Sequence, residues 1–128
     1  MNKKQNLWIV LAGLNGFLAV MAGAFGSHAL KSRLEPTMLA AFEVGVRYHM
    51  YHALGLLMLG VWMRTGAPRG TIFAAWCFQI GIILFSGSLY LLALLGWKWL
   101  GPVTPIGGAM LMLGWLVLAV SGLRRSPS

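Results

Sequence analysis

Between Glu43 and Leu59 the chain reads EVGVRYHMYHALGLLML, with a glutamate, an arginine and two histidines heading an otherwise apolar run. If that run crosses a membrane, those four side chains need partners or interfacial water, because charges in hydrocarbon are tolerated only when they face other protein or a polar cavity. The rest of the chain says that it does cross. Of 128 residues, 59% are hydrophobic and 9% charged, with a mean hydropathy of +0.77. A soluble domain of this size needs far more polar surface. Glu35 and Glu43 are its two carboxylate side chains, and aspartate is absent. That composition excludes aspartyl dyads, paired-carboxylate hydrolases and hard-cation oxygen cages.

Four stretches reach the roughly 20 apolar residues that a spanning helix needs: 7–25, 44–63, 71–95 and 105–123. They are too continuously apolar for barrel strands, which alternate, and helices satisfy their own backbone where lipid cannot. The second helix is predicted to begin earlier than its apolar part, near residue 36, because Pro36 suits a first helical position and no breaker follows before Gly66. At about 1.5 Å per residue it would outrun a hydrocarbon core of about 30 Å, leaving its first turns in the interface. Thr104 followed by Pro105 reads as the cap and first position of the fourth helix. The short connections TGAPRG and GWKWLGPV make consecutive helices antiparallel neighbours. The expected fold is therefore all-α, one domain over residues 1–128, with four transmembrane helices in an up-down-up-down bundle.

The formal charge of +8 is distributed as punctuation between apolar runs, with no basic stripe to track a nucleic acid. Lys3, Lys4, Arg64, Arg69, Arg124 and Arg125 gather at one end, against Lys31, Arg33 and Lys98 at the other, which puts both termini in the cytoplasm. Trp8 and Trp62 would mark one interface, Trp97 and Trp99 the other. The segment MNKK, the apolar run after it and Ala22-Gly23-Ala24 also have the outline of a cleavable signal peptide. The run is long enough to span, which favours a retained helix. Cys77 lies inside an apolar run and has no cysteine to pair with.

Small residues suggest where helices meet. Ala12, Gly16, Ala19, Gly23 and Gly26 form a seam on the first helix, with Asn15 beside it and able to hydrogen-bond across. Ala74, Cys77, Gly81 and Ser88 repeat the pattern on the third, and Gly107, Gly108 and Gly114 thin the fourth. Dense packing explains these positions, and it leaves open whether they join helices within one chain or in a homo-oligomer or other membrane partner.

Every helix also brings polar residues to one level: His28, then Glu43, Arg47, His49 and His52, then Ser86, Ser88 and Tyr90, then Thr104. On a helical wheel Glu43 and Arg47 lie about 40° apart, close enough to pair, while His49 and His52 fall on roughly the opposite side. The bland reading is an ion pair that locks the second helix among its neighbours. The sharper one makes Glu43, Arg47 and His52 a proton or ion relay in a small transporter or channel component. An H-x-x-H pair could contribute to a metal site, with His28 as a third ligand, but a tetrahedral site needs more ligands. Axial haem ligation needs only an inward-facing ligand and ranks lower still. Ser86 and Ser88 lack the strand-turn-helix setting of a nucleophile elbow. The expectation is a non-enzymatic protein with no catalytic residue, no metal and no cofactor, whose polar cluster serves packing or contact with a lipid, small molecule or partner.

Four segments, AGAFGSHAL, FEVGVRYHMYHALGLLML, LFSGSLYLLAL and TPIGGAMLMLGW, resemble in order and spacing the small membrane proteins of the YgdD/YwdK type, domain-of-unknown-function family 423. The resemblance covers nearly the whole chain and implies a multi-pass protein of the bacterial inner (plasma) membrane. It marks His28, Tyr48 and His52 as family features and His49 as incidental. It implies no activity.

Overall fold

Four long helices carry the chain in the computed structural model, which describes residues 3–124 and their side chains from Asn6 onward. α1 spans Lys3–Phe25 and continues through a π-helical turn, Gly26–Leu30. α2 spans Pro36–Met63, α3 Gly70–Leu95 and α4 Val103–Leu123, with a 3-10 turn at Lys98–Leu100 before α4. The side chains of Lys3 and Lys4 and the whole of Arg125, used above to orient the chain, lie outside the described part.

α2 opens on Pro36 as expected, since the first turn has no use for the N–H that proline lacks. α3 closes on Gly96, whose φ of 69° lets its N–H reach back 2.9 Å to the Leu92 carbonyl. α4 departs from expectation. Val103 opens it, so Thr104 sits inside the first turn and does not cap it. Its hydroxyl instead lies 2.6 Å from that of Ser88 on α3.

Three segments are long and apolar enough to cross a membrane: Asn6–Leu30, Gly70–Leu95 and Lys98–Leu123. α2 has the length, at 28 residues, but Arg47, His49 and His52 dilute its apolar character.

Consecutive helices pack antiparallel. Gly26 meets Phe42 at one end of the α1–α2 pair and Gly60 meets Ile9 at the other. Gly45 meets Tyr90 and Gly55 meets Phe78 between α2 and α3. Gly107 meets Phe85 and Gly70 meets Ser121 between α3 and α4. Among the described residues α1 and α4 make no comparable contact, so the antiparallel helices form an open row with α2 and α3 as its central pair. The α3–α4 seam is the tightest because glycines on both helices admit knobs from the other. Leu111 fills the space over Gly81, and Phe78 lies between Gly55 of α2 and Gly114 of α4. The seam on α1 is only partly used. Ala12 and Ala19 are buried and Gly26 faces Phe42, but a Cβ on Gly16 would meet nothing within 4 Å.

Two apolar clusters result. The larger holds Trp8, Leu56, Leu59, Phe78 and Leu111, and the smaller holds Leu30, Phe42 and Ala93 toward the other end. Trp8 thus belongs to the core, edge-on to Trp76 at 5.0 Å, and not to an interfacial belt. Trp97 and Trp99 are exposed and stacked at 6.0 Å, as belt residues would be.

Candidate functional site

Between the two apolar clusters lies a polar layer, built on the buried face of α2. Phe42, Gly45, His49, Ala53, Leu56 and Gly60 are buried on that face, recurring at the three- and four-residue spacing of one helical side. Glu43, Arg47, Leu54, Met58 and Val61 are exposed on the opposite one. Gly45 matters here because a Cβ would come within 2.9 Å of the Tyr90 ring. Its absence lets Tyr90 lean over α2 and reach His49.

The hydrogen bonds of the layer form one directed chain. Asn15 Nδ2 donates to the Leu11 carbonyl at 2.8 Å and to Gln79 Oε1 at 2.7 Å. Its Oδ1 is therefore the acceptor facing His49 Nε2 at 3.0 Å, which makes that nitrogen the protonated one. His49 Nδ1 is then left to accept from the Tyr90 hydroxyl at 3.0 Å. Four neutral side chains from α1, α2 and α3 are tied in sequence, a burial that lipid-embedded helices tolerate because each polar atom finds a partner. Ser86 adds a second tie, donating to the Gly45 carbonyl at 2.7 Å.

His52 belongs to a different contact. Its Nδ1–H donates to the Tyr48 carbonyl at 2.7 Å, and its Nε2 accepts the Trp115 indole N–H of α4 at 2.9 Å. The Phe78 and Trp115 rings stand edge-on to it, at 5.2 and 5.7 Å. The histidines thus point apart, His49 toward α1 and α3 and His52 toward α4, with all ring nitrogens committed to protein partners. Neither offers a free lone pair, so the arrangement does not suit a shared metal or an axial haem bond. Among the described residues, no three His, Cys, Asp or Glu side chains converge.

Several sequence expectations are corrected. Glu43 and Arg47 are exposed and do not approach within 4.0 Å of each other, so no buried ion pair locks α2. His28 is exposed on the π-helical turn, whereas His52 is buried with Tyr48 and Trp115 as its hydrogen-bond partners. Glu43, Arg47 and His52 are not brought together into a relay. Ser88 and Thr104 bond to each other, apart from the Asn15–His49–Tyr90 chain. Gln79 and Trp115 enter the site without having been expected, and His49 takes the central place that the sequence reading gave to His52. Because Glu43 is exposed and makes no ion pair among the described residues, Glu43→Ala is expected to shift detergent unfolding by no more than about 0.5 kcal/mol. A loss of several kcal/mol in that melt would restore the locking pair.

The chain of polar groups floors an apolar groove of about 580 Å³ between α1 and α3. Leu18, Met21, Phe25, Ile82, Ile83 and Leu94 make its walls, and Asn15, His49, Gln79, Ser86 and Tyr90 lie along its base. Gln79 is half-buried. Its Oε1 is held by Asn15, while its Nε2 makes no hydrogen bond among the described residues. The groove therefore presents a donor amide with a fixed orientation inside apolar walls. Gly87 also lines it, and a Cβ there would meet nothing within 4 Å.

A family model described as "Protein of unknown function (DUF423)" matches residues 22–108. The chain belongs to the DUF423 family. The matched span holds His49, Gln79 and Tyr90 and begins after Asn15. A UPF0382 membrane protein of Staphylococcus epidermidis is 42% identical over 120 residues, covering 94% of this chain and 98% of the relative. The UPF0382 membrane protein YwdK of Bacillus subtilis (strain 168) is 38% identical over 121 residues, with the same coverage. A UPF0382 membrane protein of Staphylococcus aureus (strain bovine RF122 / ET3-1) is 43% identical over 117 residues, covering 91% of this chain and 95% of that one. No solved structure matches the chain. This DUF423 protein is thus a membrane protein of unknown function with multiple apolar helices.

Proposed function

We propose that this DUF423 protein is a non-enzymatic, multi-pass protein of the bacterial inner membrane whose α1–α3 groove holds the apolar part of a membrane-resident molecule. In this reading the chain is one domain with four spans, α2 included, and both termini lie in the cytoplasm. Arg64, Arg69 and Arg124 gathering at one end of the helices support that orientation. Central placement between α1 and α3 supports α2 as a span, since its mid-helix polar residues, His49 and His52, are turned inward.

The observation that carries the reading is the groove itself: apolar walls, open to the side that lipid would occupy, over a base of neutral groups that bond one another. Ligand sites are largely apolar, with a few placed polar groups to orient the occupant. Gln79 Nε2 is such a group and calls for an acceptor, such as an ester or ketone oxygen. The chain ends in the Asn15 and Gln79 amides, which do not titrate, so it offers no continuous row of titratable groups, and that favours this reading over an ion relay.

Filling the groove tests it. Gly87→Leu adds a side chain at a position that lines the groove and where a Cβ would meet nothing within 4 Å, so melting is expected to be no lower than that of the wild type. Native mass spectrometry from mild detergent is expected to show one lipid-like molecule more on the wild type than on the variant. Identical retention by both proteins, or an empty wild type, would refute a groove ligand.

A further inference from the structure

Glu43 and Arg47 project from the face of α2 opposite His49, on the other side of the α1–α2 contact from the groove. They border a cleft of about 250 Å³ whose remaining walls are Ala22, Gly23, Gly26 and Ser27 of the first helix and its π turn, with Phe42 and Val46. The two charges are one helical turn apart and do not pair with each other. Arg47 lies about 6 Å further along the axis than Glu43, toward the middle of the helix. Ser27 donates its hydroxyl to the Gly23 carbonyl at 3.0 Å, leaving the oxygen to accept from a ligand. Below Arg47 the same face of α2 continues as an exposed apolar stripe of Leu54, Met58 and Val61.

From this we infer a headgroup site for a zwitterionic phospholipid that carries a primary ammonium, a phosphatidylethanolamine. The order of charges along the membrane normal decides it. In such a lipid the phosphate lies nearer the glycerol and the ammonium lies two carbons farther out, toward water. Arg47 is the deeper of the two residues and can take the phosphate in its planar fork. Glu43 is the shallower and can accept the ammonium N–H groups, as can the Ser27 oxygen. The acyl chains then run down the Leu54, Met58 and Val61 stripe. An anionic lipid without an amine would satisfy Arg47 but meet the Glu43 charge. A quaternary ammonium has no N–H to donate and is recognised by exposed aromatic faces, whereas Phe42, the aromatic ring of this cleft, is buried. The requirement is that α2 crosses the membrane with its first turns in the interface. An occupied α1–α3 groove is not required.

The test incorporates the protein into bilayer nanodiscs of equal phosphatidylethanolamine, phosphatidylglycerol and phosphatidylcholine, and counts lipids retained by native mass spectrometry. The wild type is expected to retain phosphatidylethanolamine in preference to the other two, by on the order of tenfold for two charge-assisted contacts. Glu43→Gln and Arg47→Gln should each remove most of that preference. The double variant Glu43→Arg/Arg47→Glu keeps both charges at the same spacing and reverses their depth, so it should lose the preference as well. All three leave buried packing untouched and should melt as the wild type does. Equal retention of the three lipids by the wild type, or an undiminished preference in the reversed variant, overturns the site. Gly87→Leu should leave this preference intact, so failure of the groove reading and failure of this one are separable.

Discussion

Replacing Gly107 with alanine is expected to cost about 3 kcal/mol or more of detergent-measured stability, a large effect for one methyl group. A Cβ at this position would fall on the backbone nitrogen of Phe85, 2.7 Å from the Leu84 carbonyl carbon and 2.8 Å from the Phe85 Cα. Those atoms belong to the backbone of α3 and cannot rotate aside, so α4 must move as a body or the seam must open. Overpacking that only displaces side chains costs roughly 1–3 kcal/mol, and backbone displacement pushes beyond that range. Gly108 is the control, because a Cβ there reaches the Phe85 ring at 3.5 Å, an ordinary contact. Gly108→Ala should be neutral or slightly stabilising, since alanine is the better helix former by up to about 1 kcal/mol. Unfolding both variants by sodium dodecyl sulfate titration measures the difference directly. Similar midpoints for the two would mean that α4 does not approach α3 through Gly107.

The adjacent glycines also show what could and could not be read from the chain. Spacing identifies Gly107, Gly108 and Gly114 as thinning one helix, but only the partner's position separates a backbone contact from a ring contact. The same limit explains Gly16, which continues the small-residue spacing of α1 yet faces no neighbour. Helix limits were more legible because they depend on local chemistry. Pro36 marks the start of α2 through its fixed φ, and Gly96 the end of α3 through its freedom to take a positive one. Thr104 misled because α4, following a 3-10 turn at Lys98–Leu100, begins at Val103, two residues earlier than Pro105, and the threonine is drawn to Ser88. That α1 and α4 stay apart was not legible, since short loops specify successive neighbours and say nothing of the first and last helix.

The polar residues divide in the same way. Their separation into two faces of α2 follows from helical periodicity and is found in the structure. Which face is buried does not follow from the charges themselves. A signal was present in their company: Glu43 and Arg47 share a side with Leu54, Met58 and Val61, large residues suited to lipid, whereas His49 shares one with Gly45 and Gly60, which suit close packing. Gln79 carried a signal too, because an amide in the middle of an apolar run must find a partner. Trp115 carried none, since an indole near a span is equally at home in lipid.

His49 is accordingly the histidine whose loss should matter most. His49→Ala is expected to destabilise by about 2–4 kcal/mol, because it leaves a cavity and strands both the Tyr90 hydroxyl and Asn15 Oδ1. Tyr90→Phe removes one bond and keeps the ring over Gly45, so it should cost about 1 kcal/mol, within the range measured for hydrogen bonds between membrane helices. Combining His49→Leu with Tyr90→Phe should cost less than the sum of the two single changes, since each single variant leaves a polar atom unpaired that the double variant removes. His52 provides the contrast, because its Nδ1 bonds the carbonyl one turn back on its own helix and only its Nε2 reaches another helix, at Trp115. His52→Ala should therefore cost less than His49→Ala in the same melts. Additive losses at His49 and Tyr90, or a larger loss at His52, would show that the chain from Asn15 to Tyr90 does not hold α1, α2 and α3 together.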